Sequence, residues 1–220
     1  MNFYTRQMQP LLQSLIKQFP AILVTGPRQV GKSTLLQQFE EEYQYVSFDD
    51  PLLLNQARND PALFMLNHSG KLILDEVQYA PELFSSLKLA IDRQKTSGLF
   101  LLSGSQAFQL MQNVTESLAG RIAVLKLQGF SLREIQQIDF HQPFVPNMEY
   151  ISAREKHFQP VENIWKIIHQ GYMPRLYEQE MNWEIYYASY VSTYIERDVR
   201  ALTNISSITD FTRFMVAIAA

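Results

Sequence analysis

A chain of 220 residues with 46% hydrophobic and 19% charged side chains has the composition of a folded globular protein, long enough for one substantial domain or one domain with part of another. Its formal net charge of −3 excludes a global basic field that would recruit nucleic acid. With no cysteine, disulfides and cysteine-ligated metal are excluded, in agreement with a reducing compartment.

Met1-Asn2-Phe3-Tyr4-Thr5-Arg6 lacks the apolar core of a signal peptide. No apolar run approaches the roughly 20 residues that span a bilayer. The expected location is cytoplasmic, with no membrane partner.

Ala21 to Thr25 is a short apolar run suited to a buried strand. Gly26-Pro27-Arg28-Gln29-Val30-Gly31-Lys32-Ser33 follows and fits G-x-x-x-x-G-K-[ST], and Thr34 to Phe39 then reads as a helix. A strand, a glycine loop and a helix make the unit whose backbone N–H groups surround a polyphosphate. Gly26 and Gly31 allow backbone conformations that a Cβ obstructs. Lys32 sets a compact positive charge against the β- and γ-phosphates. Ser33 offers a hydroxyl to Mg²⁺, an ion that takes oxygen ligands. The expected nucleotide contacts are Gly26 through Thr34, and Arg28 is either exposed or a clamp on a partner segment.

Tyr45 to Phe48 reads as the second strand and leads into Asp49-Asp50-Pro51. Asp50 and Pro51 form the N-cap and first residue of a helix, while Asp49 is either a turn residue or near the metal. The third strand, Leu72 to Leu74, ends in Asp75-Glu76. An apolar strand ending in two acids after a phosphate loop is the Walker B arrangement. Asp75 is expected to hold Mg²⁺ opposite Ser33, and Glu76 to orient, or take a proton from, the water attacking the γ-phosphate. The alternative is two exposed turn carboxylates.

From Pro81 to Lys95, Leu83, Leu87 and Ile91 recur at helical spacing. Leu99 to Leu102 is the fourth strand. Ser103 at its end either hydrogen-bonds the attacking water or γ-phosphate, or is an ordinary turn residue. Leu102-Ser103-Gly104-Ser105-Gln106 imitates a transporter-ATPase signature, but that signature precedes the acidic strand and this stretch follows it. Arg121 precedes the fifth strand, Ile122 to Leu127. It is a finger into a neighbouring subunit's nucleotide, a sensor of its own, or a surface ion pair. Strands alternating with helices indicate a parallel sheet covered on both faces, with ligands beyond the strands' carboxyl ends.

Leu132 to Ile135 closes the alternating pattern. Residues 139 to 160 carry Pro143, Pro146 and Pro160 with little periodicity and read as a loop or linker. A helix is expected from Glu162 to His169, stopping at Gly171 and Pro174. Another begins near Glu184, with Tyr187, Tyr190, Val191, Tyr194 and Ile195 on one face. That face is either packed or a base-stacking surface, and Glu196 with Arg200 makes an i,i+4 pair. His68, His141, His157 and His169 lack metal-ligand spacing.

These pieces together resemble the bacterial and archaeal AAA-type P-loop ATPases that join an N-terminal ATPase domain to a C-terminal domain of unknown function. The resemblance rests on Gly26 to Ser33, Asp75-Glu76-Val77-Gln78 with Pro81, Leu102 to Ser105, Ser117-Leu118-Ala119-Gly120-Arg121, and Tyr194-Ile195-Glu196-Arg197-Asp198-Val199. It implies an α/β P-loop NTPase with an AAA-like five-stranded parallel sheet of order 5-1-4-3-2 flanked by helices, followed by a helical segment. It also implies Ser103 in the sensor position and a C-terminal domain continuing past Ala220. Two positions depart from the family: Gln170-Gly171-Tyr172-Met173-Pro174 stands for a Gly-Gly-aromatic-Pro stretch, and Ser103 for a threonine.

The expected organisation is an ATPase core over 1–138, a linker with a short helix over 139–180, and the first helices of the C-terminal domain over 181–220. The expected activity is ATP hydrolysis with Mg²⁺ that drives or times a conformational change. Lys32, Glu76, Ser103 and Arg121 are the expected catalytic residues, with Ser33 and Asp75 on the metal and homo-oligomer formation through Arg121. The alternative is a nucleotide-gated interaction module with little or no hydrolysis. A small-molecule kinase is disfavoured by Asp75-Glu76, and a GTPase by the lack of an N-K-x-D motif.

Overall fold

The computed structural model describes residues 4–105, 114, 116–194 and 208–219. The chain divides into two compact units, Met1–Glu178 and Gln179–Ala220.

The first unit is built on five strands: β1 (Ala21–Thr25), β2 (Gln44–Ser47), β3 (Leu72–Asp75), β4 (Phe100–Gly104) and β5 (Ile122–Lys126). They pair in parallel in the order β2-β3-β4-β1-β5, which is the expected 5-1-4-3-2 arrangement. Burial on both faces explains why β1, β3 and β4 are continuous apolar runs rather than alternating ones. The two-residue period of a strand divides these side chains between two cores. Ile22, Val24, Ile73 and Leu101 face one way and pack with Leu12, Leu35 and Leu36. Those partners come from α1 (Gln9–Ile16) and α2 (Lys32–Gln37). Leu23, Leu72, Leu74, Phe100 and Leu102 face the other way. There they meet α3 (Pro51–Asn59), α4 (Pro61–Asn67) and α5 (Leu83–Gln94) through Ala57, Phe64, Phe84 and Leu87.

Local chemistry sets the helix ends. Asp50 caps α3 by accepting from the Leu52 and Leu53 amides, and Pro51 follows at the first helical position, as expected. Asp60-Pro61 repeats the device for α4. Lys95 ends α5 in the left-handed conformation.

Beyond β5 lie α6 (Leu132–Ile135), α7 (Met148–Glu155), α8 (Ile164–Gln170) and α9 (Arg175–Glu178). α7 corrects the reading of 139–160 as loop throughout. Asn147 caps it through the Tyr150 amide, but it buries no residue, so no apolar period marks it in the sequence. In the second unit, α10 (Trp183–Tyr194) and α11 (Ile208–Ala219) are described. On α10 the buried ring is Tyr186, stacked on Tyr190 and edge-on to Tyr187, so these tyrosines pack on one another. Ile195 and the Glu196–Arg200 pair lie outside the described residues, as does the Glu196-to-Val199 part of the resemblance.

Tyr43 pins the strand ends together by donating to the Gly98 carbonyl at 2.8 Å. Burial, and secondarily the charge of Glu42, pushes its phenol from 10.0 up to about 12. A raised acid favours the protonated form in the fold, so its contribution is complete below the unfolded value and is lost as pH rises through the folded one. Stability should therefore fall between pH 10 and 12, and the fall should be shallower in Tyr43→Phe. Urea unfolding of both proteins across that range measures the difference; equal slopes would remove Tyr43 from the account.

Candidate active site

β1, β4 and β3 are adjacent and parallel, so the segments leaving them emerge side by side. The Gly26–Ser33 loop leaves β1. Gly26 adopts φ +149°, and a Cβ there would collide with the Leu127 carbonyl, so this position admits no side chain. Gly31 turns the chain into α2 with φ 88°, ψ 30°. The N-cap of α2 is Gly31, which has no side chain to cap the first turn, and the positive end of a helix favours an anion there. Lys32 is 5% exposed, and its Nζ donates to the carbonyls of Gly26 (3.2 Å) and Pro27 (2.9 Å). Val30 is buried, Arg28 half-buried, and Pro27, Gln29 and Thr34 are exposed.

Asp75, 4% exposed, ends β3 and gathers three hydroxyls. Ser33 donates to Oδ1 at 3.0 Å, Ser103 donates to the same oxygen, and Tyr45 from β2 donates to Oδ2 at 2.6 Å. Burial, then the hydrogen bond to Asp75 and that carboxylate's charge, raises the Tyr45 phenol, which keeps it a proton donor. One carboxylate beside one serine hydroxyl is a hard oxygen donor set that suits Mg²⁺, which completes its shell with phosphate and water. Among the described residues no cluster of three or more His, Cys, Asp or Glu could form an all-protein metal cage.

Ser103 is fully buried. Its hydroxyl donates to Asp75 and accepts from the Glu76 amide at 3.2 Å. This contact locks the ends of β3 and β4 together. Glu76 adopts φ 55°, ψ 44°, a left-handed conformation that costs a non-glycine residue on the order of 1 kcal/mol. Its carboxylate accepts from Gln78 Nε2 and from Ser105 Oγ at 3.1 and 3.2 Å.

Asp49, one alternative for the metal, and Arg121, expected to be catalytic, are not brought to this cluster. Asp49 is exposed past the end of β2, and Tyr45 is the β2 residue that touches Asp75. Arg121 accompanies the start of β5, because its carbonyl accepts from the Ala21 amide at 3.2 Å. β1 runs five residues from there to its carboxyl end, roughly 16 Å at about 3.3 Å per residue. The Arg121 backbone therefore lies at the end of the sheet opposite the Gly26–Ser33 loop. Its guanidinium pairs with Asp92, with Nε to Oδ1 at 2.7 Å and Nη2 to Oδ2 at 3.1 Å. The hydrogen bond lowers the Asp92 carboxyl and raises Arg121.

Sequence reading missed Tyr45, Gln78 and Ser105 as partners of the acids. Gln78 was within reach, since it closes Asp75-Glu76-Val77-Gln78 two residues after the carboxylate it contacts. Nothing local signals the 2.9 Å ion pair of Arg6 with Glu134, which joins positions 128 residues apart; the Ser131-to-Glu134 spacing signals only a capping box.

Residues 18–136 match the family described as AAA domain, and residues 161–220 match a domain of unknown function, DUF8612. An uncharacterized protein of Mycobacterium bovis and another of Mycobacterium tuberculosis are each 34% identical over 125 residues, which is 56% of this chain and 28% of theirs. The chain thus spans little more than a quarter of the length of these relatives. A Walker-type ATPase of Pyrococcus abyssi aligns at 18% identity over 72% of this chain and 60% of its own, with a TM-score of 0.43. Among the described residues no helix is long and apolar enough to cross a membrane.

Proposed function

The chain belongs to the AAA domain family, and from that footing we propose that it binds ATP with Mg²⁺ and hydrolyses it to drive or time a conformational change in the region after the sheet. The main support is the convergence of Lys32, Ser33, Asp75 and Glu76 at the ends of neighbouring parallel strands. The loop amides and Lys32 hold the β- and γ-phosphates. Ser33 and Asp75 hold Mg²⁺, which neutralises charge developing on the phosphates. Glu76 orients the attacking water and takes its proton. Ser103 and Tyr45 fix the Asp75 carboxylate and leave the chemistry to its neighbours.

Arg121 acts in trans, as a finger into the site of an adjacent copy, and gives up its pairing with Asp92 on assembly. Phosphate release measured against protein concentration tests this. Turnover per chain should rise with concentration in the wild type and lose that rise in Arg121→Ala. A flat rate that the substitution leaves alone would end the trans role.

A second reading, a nucleotide-gated interaction module with little hydrolysis of its own, draws support from the Glu76 carboxylate, which Gln78 and Ser105 already engage. ATP binding with no measurable turnover at any concentration would favour it.

A further inference from the structure

Arg6, in the segment before α1, is 5% exposed although it carries a full charge. A guanidinium held that deep is costly unless every side of it is engaged. Nε pairs with Glu134 Oε1 at 2.9 Å, Nη1 donates to the Val30 carbonyl at 2.6 Å, and Nη2 donates to the Gln128 carbonyl at 2.7 Å. Its Cζ lies 4.9 Å from the centre of the Phe130 ring. Glu134 is itself fixed. Its Oε2 accepts from the Ser131 amide at 2.7 Å in the capping box of α6, and its Oε1 also accepts from the Gln7 amide at 2.8 Å.

The Val30 contact reaches into the phosphate loop. A peptide unit is planar and trans, so its C=O and N–H point in opposite directions. The unit joining Val30 to Gly31 has its carbonyl turned onto Arg6, which turns the Gly31 N–H away from Arg6. A Cβ on Gly31 would lie 3.4 Å from Nη1, so the guanidinium sits directly against this turn. The Gln128 contact ties the same guanidinium to the segment whose Leu127 carbonyl packs on Gly26. Arg6 therefore holds the loop near both of its glycines.

We infer that Arg6, anchored by Glu134, is a positioning residue that presets the Val30–Gly31 peptide so that the Gly31 N–H serves as a phosphate donor. This rests on the ATP reading above. Arg6→Lys keeps the charge but has no planar fork to span the Val30 and Gln128 carbonyls together. Equilibrium binding of ATP and of inorganic triphosphate to the full chain, well below each protein's melting temperature, is the test. Arg6→Lys should weaken both ligands by the same factor, about tenfold, and raise KM more than it lowers kcat. Glu134→Gln removes the charge and one of the two acceptor oxygens, leaving one to serve either Arg6 with the Gln7 amide or the Ser131 amide, and should give a smaller loss of the same kind.

Wild-type affinity in a folded Arg6→Lys protein would overturn the inference. So would failure of both variants to fold, which would assign the pair to stability alone. A wild type that binds neither ligand, or a Lys32→Ala variant that binds both as the wild type does, would instead remove the nucleotide reading itself.

Discussion

Lys32→Ala is expected to abolish tight ATP binding, raising Kd by about a hundredfold or more while the fold survives. The ammonium is buried and hydrogen-bonded to the Gly26 and Pro27 carbonyls, so it sits over the loop as a compact donor. Bonds from a charged donor contribute about 1.5–3 kcal/mol each, and two of them to phosphate oxygens account for a factor of a hundred or more. The carbonyls that Lys32 leaves behind add a like-sign repulsion toward the incoming phosphates. Its buried stem also fills space in the loop, so Lys32→Met separates packing from charge. Calorimetric titration with ATP·Mg²⁺ should give no measurable heat for either variant, with melting of Lys32→Met close to the wild type. Wild-type affinity in Lys32→Met would show that the loop does not hold the phosphates.

The strands and the phosphate loop were legible because their signals are local. Ala21–Thr25, Leu72–Leu74 and Leu99–Leu102 are apolar runs bounded by glycine, acids or serine, and each matches its observed strand to within two residues at either end. Asp50-Pro51 likewise announced α3 through neighbours in the chain. What escaped depends on contacts between distant positions. Tyr45 meets Asp75 across 30 residues, Ser105 meets Glu76 across 29, and Arg6 meets Glu134 across 128. No periodicity encodes such pairs; only the strand order brings them together. The same order places Arg121, because β5 runs parallel to β1 and its first residues lie at the end of the sheet away from the loop. α7 escaped for the opposite reason: with nothing buried, it leaves no apolar period to read.

Glu76→Gln should keep ATP affinity within a few fold and slow hydrolysis by about a hundredfold or more, the lower end of general-base effects. The substitution spares what holds position 76 in place. Its left-handed backbone is held by the hydrogen bond that its N–H donates to Ser103 Oγ, and the 3₁₀ turn Val77–Tyr79 follows at once. A glutamine Oε1 can still accept from Ser105 or from Gln78, so the side chain stays where the carboxylate was. What disappears is the negative charge that takes a proton from water. Single-turnover hydrolysis at saturating ATP·Mg²⁺, set beside equilibrium binding, separates the outcomes. Slow chemistry with intact binding assigns the base to Glu76. Unchanged chemistry removes it from that role and returns attention to the contacts it makes with Gln78 and Ser105. Loss of binding as well would mean that the left-handed turn, through Ser103, supports Asp75 more directly than it serves the water.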